Sequence, residues 1–176
     1  DNENSRFIQA KAGNDTANVD FALRRGLQVR GIVVDESGQS ISSARVHGFA
    51  SRGMASDFGE SKGDGSFVLS GFAPGQRVSV SAKKSGLALV KIEPVDGEVT
   101  IQDKSVDGIR IVLGKGASIS GVVVDAQGRP KADTGLYAEL TDPDGSESDW
   151  ETSEADGSFL LDGLAPGEYQ ISLSRI

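Results

Sequence analysis

Cysteine is absent from this chain of 176 residues, and histidine, methionine and tryptophan occur once each. Without cysteine there is neither a disulfide scaffold nor a thiolate metal site. One histidine cannot build a histidine-rich metal site, and a Ser-His-Asp or Cys-His nucleophile arrangement is left almost without parts. That histidine, His47, stands beside Val46 in a strand-like stretch and reads as an ordinary strand residue. The serines are many, but none falls in a Gly-x-Ser-x-Gly elbow. A phosphate-cradling glycine loop needs an adjoining helix, and none is visible, so Gly71 to Gly75 reads as a turn. Basic residues are in deficit, with a formal net charge of −8. That balance opposes binding to nucleic acid or to an anionic membrane surface. No apolar run approaches the length of a membrane span, so no membrane insertion by this chain is expected. The expectation is a non-enzymatic chain with no catalytic residues, no cofactor and no metal.

What the chain has is internal repetition. Gly31-Ile32-Val33-Val34-Asp35 with Gly38 returns 90 residues later as Gly121-Val122-Val123-Val124-Asp125 with Gly128. Asp64-Gly65-Ser66-Phe67 returns 92 residues later as Asp156-Gly157-Ser158-Phe159, and Ala73-Pro74-Gly75 returns as Ala165-Pro166-Gly167. A period this long, with strand-like stretches inside it, indicates tandem β domains rather than a thin solenoid. The repeat sets the boundaries: 1–25 as a separate segment, 26–114 as the first unit and 115–176 as the second. The acidic excess belongs to the second unit, which holds 12 acidic and 4 basic residues against 10 of each in the first.

Within a unit the pattern is that of short strands. Leu27-Gln28-Val29-Arg30 alternates and runs into Ile32-Val33-Val34, a β-branched strand signal. Asp35 to Gly38 closes it as a turn suited to positive φ at Gly38. Ala44 to His47 opens the next strand, with Thr134 to Tyr137 as its counterpart. A variable loop comes next, from Arg52 to Lys62 in the first unit and Thr141 to Ala155 in the second. Asp64-Gly65 and Asp156-Gly157 are tight-turn pairs, with Ser66 and Ser158 capping or packing beside them. Phe67 and Leu69, like Phe159 and Leu161, alternate across a short strand. Phe72 and Leu164 each supply a buried anchor before a Pro-Gly turn, Pro74-Gly75 and Pro166-Gly167, with glycine at the third turn position. Val78, Val80 and Ala82 match Tyr169, Ile171 and Leu173. The first unit continues through Leu87, Leu89, Val99 and Ile101 to Ile109, Ile111 and Leu113. About seven short strands with frequent turns predict an all-β antiparallel sandwich.

The second variable loop is the chemical oddity. From Glu139 to Asp156 it is rich in carboxylates, including Asp142, Asp144 and Asp149, and has no basic residue. Oxygen-rich loops bind calcium, yet the spacing departs from the helix-loop-helix pattern and a solvated acidic tip is the expected state. Trp150 lies inside this loop and is expected to fold back on the sandwich. The alternative is an exposed ring that stacks on sugar or anchors a partner.

The ordered set of strand, Gly-x-Val-x-Asp-x-x-Gly, Asp-Gly-x-Phe-x-Leu and Leu-x-Pro-Gly-x-Tyr resembles the carboxypeptidase regulatory-like domain. In the second unit the matching residues are Gly121, Val123, Asp125, Gly128, Pro130, Asp156, Gly157, Phe159, Leu161, Leu164, Pro166, Gly167 and Tyr169. The first unit departs at Ser40, Phe72 and Val78. The resemblance implies a Greek-key sandwich of prealbumin-like topology, a non-catalytic module common in tandem on bacterial extracellular proteins or appended to peptidases. It implies an extracytoplasmic setting and partners among other domains of the same polypeptide. The matched residues are turn and core residues, so it brings no functional site. Related collagen-adhesin domains carry Lys–Asn/Asp isopeptide cross-links. Here Arg30 and Arg110 stand where such a pair would be sought and Val78 to Ala82 has no glutamate, so no cross-link is expected.

Residues 19–31 align with 109–121, matching Phe21 to Ile111, Leu23 to Leu113 and Gly26 to Gly116. The chain thus reads as opening on the closing strands of a preceding unit. The second unit stops at the counterpart of Lys84 and lacks the strands that the first unit has beyond that residue. Three expectations stand: a piece of a longer array; strand complementation, with residues 1–25 of one molecule filling the open edge of the next in head-to-tail self-association; or residues 1–25 packing against the first unit of their own chain as an extra strand.

Overall fold

Short alternating apolar runs broken by glycine turns fold here into strands alone. The computed structural model describes residues 7–13, 15, 19–20, 25–51, 55–94, 97–141 and 148–173. Its strands in the first unit are β1 (Leu27–Asp35), β2 (Arg45–Ala50), β3 (Ser56–Glu60), β4 (Ser66–Phe72), β5 (Arg77–Lys83), β6 (Leu87–Glu93), β7 (Glu98–Thr100) and β8 (Val106–Lys115). In the second they are β9 (Ala117–Val122), β10 (Gly135–Leu140), β11 (Ser148–Thr152), β12 (Ser158–Leu164) and β13 (Tyr169–Leu173). No helix is among the described residues, and so none is long and apolar enough to cross a membrane.

The first unit pairs two four-stranded sheets, ordered β4-β1-β8-β6 and β3-β2-β5-β7. The all-β sandwich read from the pattern is what forms. Two details were not in that pattern. The unit has eight strands, because the variable loop itself contains β3. One pairing, β1 with β8, is parallel, Val33 lying opposite Ile111. Val29, Val33, Phe67, Leu69, Phe72, Val78, Ile101, Ile109, Ile111 and Leu113 fill the space between the sheets with no more than 1% exposure. Burial of that many side chains, each worth roughly 1.5–3 kcal/mol, is what opposes the chain entropy. Gly31 and Gly121 are strand glycines in part for a shared reason, though at Gly31 the Ile109 carbonyl oxygen of β8 is closer still, 2.0 Å from where a Cβ would lie. Each faces a phenylalanine across the strand pair, Phe67 and Phe159, whose ring occupies the space a side chain would need: a Cβ at Gly121 would lie 2.8 Å from the Phe159 ring.

The second unit repeats the first part of this scheme, with sheets β12-β9 and β11-β10-β13. Leu173 pairs with Leu136 as Ala82 pairs with Val46, and Val124 bridges to Pro130 as Val34 does to Ser40, so Leu173 stands for Ala82 and Val124 for Val34. Strands equivalent to β6, β7 and β8 are not among the described residues. The consequence is read from burial: Val34 is 2% exposed but Val124 51%, and Ala82 5% but Leu173 56%. Its core of fully buried residues is correspondingly small, built on Ala138, Leu161 and Leu164 with Ile119, Phe159 and Tyr169 packed against it.

The turn residues behave as their types demand, with one exception. Asp35 Oδ1 accepts the amides of Ser37 at 2.9 Å and Gln39 at 2.8 Å, and Gly38 takes φ of 88°. Asp125 does the same for Gln127 and Arg129, with Gly128 at 78°. Gly65 and Gly157 both sit at 78°, and the amides of Ser66 and Ser158 each donate to the preceding aspartate at 2.9 Å. Gly75 lies at 82°, whereas Gly167 is not in the left-handed region. The two Pro-Gly turns therefore differ. At Gly167 the end of the Leu140 side chain occupies the space a Cβ would take.

The strand expected at Val19, Phe21 and Leu23 falls largely outside the described residues, and residues 7–13 form no strand.

Candidate interaction surface

The outward faces of β2 and β10 carry aromatic rings at corresponding places. On β2 the alternation that sends Val46 and Gly48 inward sends Arg45, His47 and Phe49 outward. His47 lies directly opposite Phe58 on β3 and opposite Ser81 on β5. On β10 Tyr137 lies directly opposite Trp150 on β11 and opposite Ser172 on β13. Each unit thus presents one cross-sheet row of aromatic, aromatic and serine. In the first unit Phe49 adds a third ring, flanked across the strands by Ser56 and Ser79.

The rings of the first unit contact one another and leave their outer faces to solvent. Phe49 and Phe58 meet edge to face with centroids 5.5 Å apart, and His47 lies 5.3 Å from Phe49. Edge-to-face packing at such distances is the favoured aromatic geometry. Phe58 is nonetheless 67% exposed and, in the second unit, Trp150 is 54% exposed. Burial of His47 beneath its neighbours lowers the pKa of the imidazole below its ordinary value.

Trp150 therefore does not fold back on the sandwich. Nor is it in a loop: β11 forms inside the stretch read as one, because its residues complete an edge of the sheet beside β10. Asp149, in the same strand, is ion-paired with Lys83 of the first unit. Asp142 and Asp144 lie outside the described residues. Among the described residues no group of three histidine, aspartate or glutamate side chains is placed to hold a metal ion.

Between the two units runs a cleft of about 790 Å³, lined by His47, Ser79, Ser81 and Lys83 from the first and by Ser148 and Asp149 from the second. On the second unit it reaches Asp149, which pairs with the buried Ala138 and so lies on the face of β11 opposite Trp150. The units are held there by a built joint. Asp162 Oδ2 accepts the Ser85 hydroxyl at 2.5 Å and the Gly86 amide at 2.8 Å. Both bonds hold the carboxyl of Asp162 below the usual carboxylate range, the Ser85 hydroxyl contributing most. Gly163 comes next at φ of 73°, pressed so near the β5–β6 turn that a Cβ would lie 2.7 Å from the Leu87 carbonyl oxygen. Gly116 packs against Gly163 in turn.

Sequence reasoning singled out Trp150 but missed Tyr137, Phe49, Phe58 and Asp162. A signal for Phe58 was present: it precedes Asp64 by the same six residues that separate Trp150 from Asp156. The joint had none, since Ser70 stands at the position of Asp162 in the first unit.

No protein-family model matches the chain. No curated protein matches it either. Among solved structures, a streptococcal ancillary pilin is similar at 14% identity and a TM-score of 0.40, over 85% of this chain and 54% of that one. This chain thus spans about half the length of that pilin. A mutant of the shaft pilin spaA from Lactobacillus rhamnosus GG is similar at 12% identity and a TM-score of 0.39, over 86% and 88% of the two chains. The Bacillus anthracis TIE protein is similar at 11% identity and a TM-score of 0.39, over 86% of this chain and 29% of that one. Similarity at this level carries no argument about what the present chain does.

Proposed function

We propose that this chain is a non-enzymatic structural and interaction module of a larger extracytoplasmic bacterial protein, built of two carboxypeptidase regulatory-like repeats that meet near residue 115. The observation that carries the reading is the joint. Asp162 and Gly163 of one sandwich seat directly on the Ser85–Leu87 turn of the other, and the Lys83–Asp149 ion pair closes the same seam. Two domains fixed in this way transmit position and force and present their loops and edges at a set spacing. A flexible linker would do neither. The scarcity of histidine and the absence of cysteine support a non-catalytic role. NMR relaxation tests the joint: both units tumble as one body. Independent tumbling of the two sandwiches would overturn the reading.

The bare positions of the second unit favour a further reading, head-to-tail assembly. Val124, Ile171 and Leu173 are exposed where Val34, Val80 and Ala82 are buried. The alternation of residues 19–25 is that of β8, the strand that covers the first unit. Concentration-dependent association in light scattering, lost on removal of residues 1–25, supports this assembly. A monomer at every concentration excludes it for this chain.

A further inference from the structure

We infer that the open edge of β9 is a docking edge for residues 19–25 of a second copy of this chain, which add to it as a parallel strand in the register that β8 takes on β1. The inference rests on the head-to-tail reading above and goes beyond it by fixing the polarity, the register and the molecule that supplies the strand.

Equivalent strands in the two units mark the edge. β1 is flanked on both sides, by β4 and by the parallel β8. Its counterpart β9 pairs with β12, and among the described residues no strand lies along its other edge. Such an edge keeps a row of backbone donors and acceptors ready for a further strand. Side chains buried beside β8 in the first unit have open counterparts in the second. Val124 is 51% exposed where Val34, paired with Val112 of β8, is 2% exposed, and Ile171 is 39% exposed where Val80 is 3%. Gly121 also admits the close approach that β8 makes at Gly31. There the Ile109 carbonyl oxygen occupies the space of a Cβ, whereas the three atoms nearest that space at Gly121 all belong to the Phe159 ring.

The chain itself holds a strand of the required kind. Val19, Phe21, Ala22 and Leu23 are apolar where Ile109, Ile111, Val112 and Leu113 of β8 are buried. Asp20 and Arg25 are charged where Arg110 and Lys115 are, and Arg24 departs by standing for Gly114. In this register Val19 lies opposite Gly121, Phe21 opposite Val123 and Ala22 opposite Val124, as Ile109, Ile111 and Val112 lie opposite Gly31, Val33 and Val34. The way into the next strand matches as well. Gly26 packs against Gly71 as Gly116 packs against Gly163, so Arg25 leads into β1 as Lys115 leads into β9.

Reach makes the donor a different molecule. The second unit sits on the end of the first that carries the Ser85–Leu87 turn, where β1 finishes with Asp35 opposite Leu113. Leu27 begins β1 at the other end, about 26 Å away at roughly 3.3 Å per residue. The stretch from Leu23 to Leu27 spans at most about 14 Å, so Leu23 cannot reach Asp125 of its own second unit. A second copy has no such limit. Each copy that docks brings its own β9 edge, so the contact is heterologous and propagates instead of closing.

Because the chain has no cysteine, introduced pairs report the register. Ala22→Cys with Val124→Cys places thiols at the counterparts of Val112 and Val34, which face each other across β8 and β1. Ala22→Cys with Val122→Cys is two residues out of register, at a side chain of similar exposure. Mild oxidation of the full chain carrying the first pair is expected to give a ladder of covalent dimers, trimers and higher forms on non-reducing gels, with peptide masses that join the two substituted positions. The second pair gives no ladder. Phe21→Asp, which sets a charge at the core position of Ile111, abolishes both the ladder and the association seen in light scattering. Association without a ladder from the first pair, or with equal ladders from both pairs, overturns this register and leaves head-to-tail assembly standing. A chain that stays monomeric at every concentration overturns both. A cross-link confined to single molecules overturns the second copy as donor.

Discussion

Asp162 accepts the Ser85 hydroxyl at 2.5 Å across 77 residues of chain, and this bond spans two separately built cores. The first unit has Ser70 at the equivalent place, where it accepts instead from Gln28 Nε2 of its own unit at 3.2 Å. The aspartate is thus particular to the joint. Asp162→Ala is expected to leave the folding of the first unit unchanged while broadening the distribution of inter-unit distances in small-angle scattering or spin-label measurements. The folded-state pKa is lowered, so the carboxylate stabilises the joint above the unfolded aspartate value of about 3.9. That contribution is lost as pH falls through the still lower folded value. Scattering at neutral pH and near pH 2–3 reads the loosening, and an identical profile at both would count against the bond as the joint's fastener.

The two bulge glycines separate backbone strain from docking. Gly71 lies at φ of 90° with open space where a side chain would go, whereas Gly163 lies at 73° against the Leu87 carbonyl. Gly71→Ala carries only the left-handed strain, about 1–2 kcal/mol. Gly163→Ala carries that strain and forces the units apart. Denaturant titration of both variants should therefore show the larger loss at Gly163, together with a changed inter-unit distance that Gly71→Ala does not produce.

A buried serine clasps each unit in the same way. Ser61 Oγ accepts the Ala44 amide at 2.9 Å and donates to the Ile41 carbonyl at 2.7 Å. Ser153 accepts the Thr134 amide at 3.0 Å and donates to the Lys131 carbonyl at 2.7 Å. Removing the hydroxyl leaves a buried donor and acceptor unpaired, a loss of about 1–3 kcal/mol. Ser61→Ala and Ser153→Ala are each expected to destabilise their own unit by that amount in urea titration. A Ser61→Ala protein as stable as wild type would show that water replaces the clasp.

His47 should give the fold a pH dependence above the range of the carboxylates. Burial lowers its pKa, so below the unfolded value of about 6.5 the unfolded chain binds more protons than the folded one. Stability is therefore full above that pH and declines as pH falls toward the folded pKa. His47→Gln removes this limb. Melting temperatures between pH 7.5 and 5 compare the two proteins, and parallel curves would mean that the ring is solvated in solution.

The unequal cores predict unequal stability. The interior of the first unit draws on both complete sheets, while Leu161 is among the few fully buried side chains of the second. Leu161→Ala should cost about 2–5 kcal/mol and move only the lower of two calorimetric transitions. A single transition moved as a whole would mean that the joint couples the units into one cooperative body.

Within one unit the sequence carried nearly everything. Alternation in Leu27–Asp35 and Ser66–Phe72 specifies a strand with one buried face, because side chains in a strand point to opposite sides in turn. Asp35, Gly38, Asp64 and Gly65 specify their turns by local hydrogen bonds and positive φ, which depend on nothing distant. What local pattern could not determine is what depends on neighbours remote in the chain. Strands β3 and β11 exist because β2 and β10 offer them an edge. Gly167 sits beside the Leu140 side chain and not in the left-handed conformation of Gly75. The placement of Trp150 opposite Tyr137, the pairing of β1 with β8 and the seat of Asp162 on Ser85 arise only once register and packing are set. Periodicity records which side of a strand faces inward; which distant strand lies beside it is decided by the packed structure.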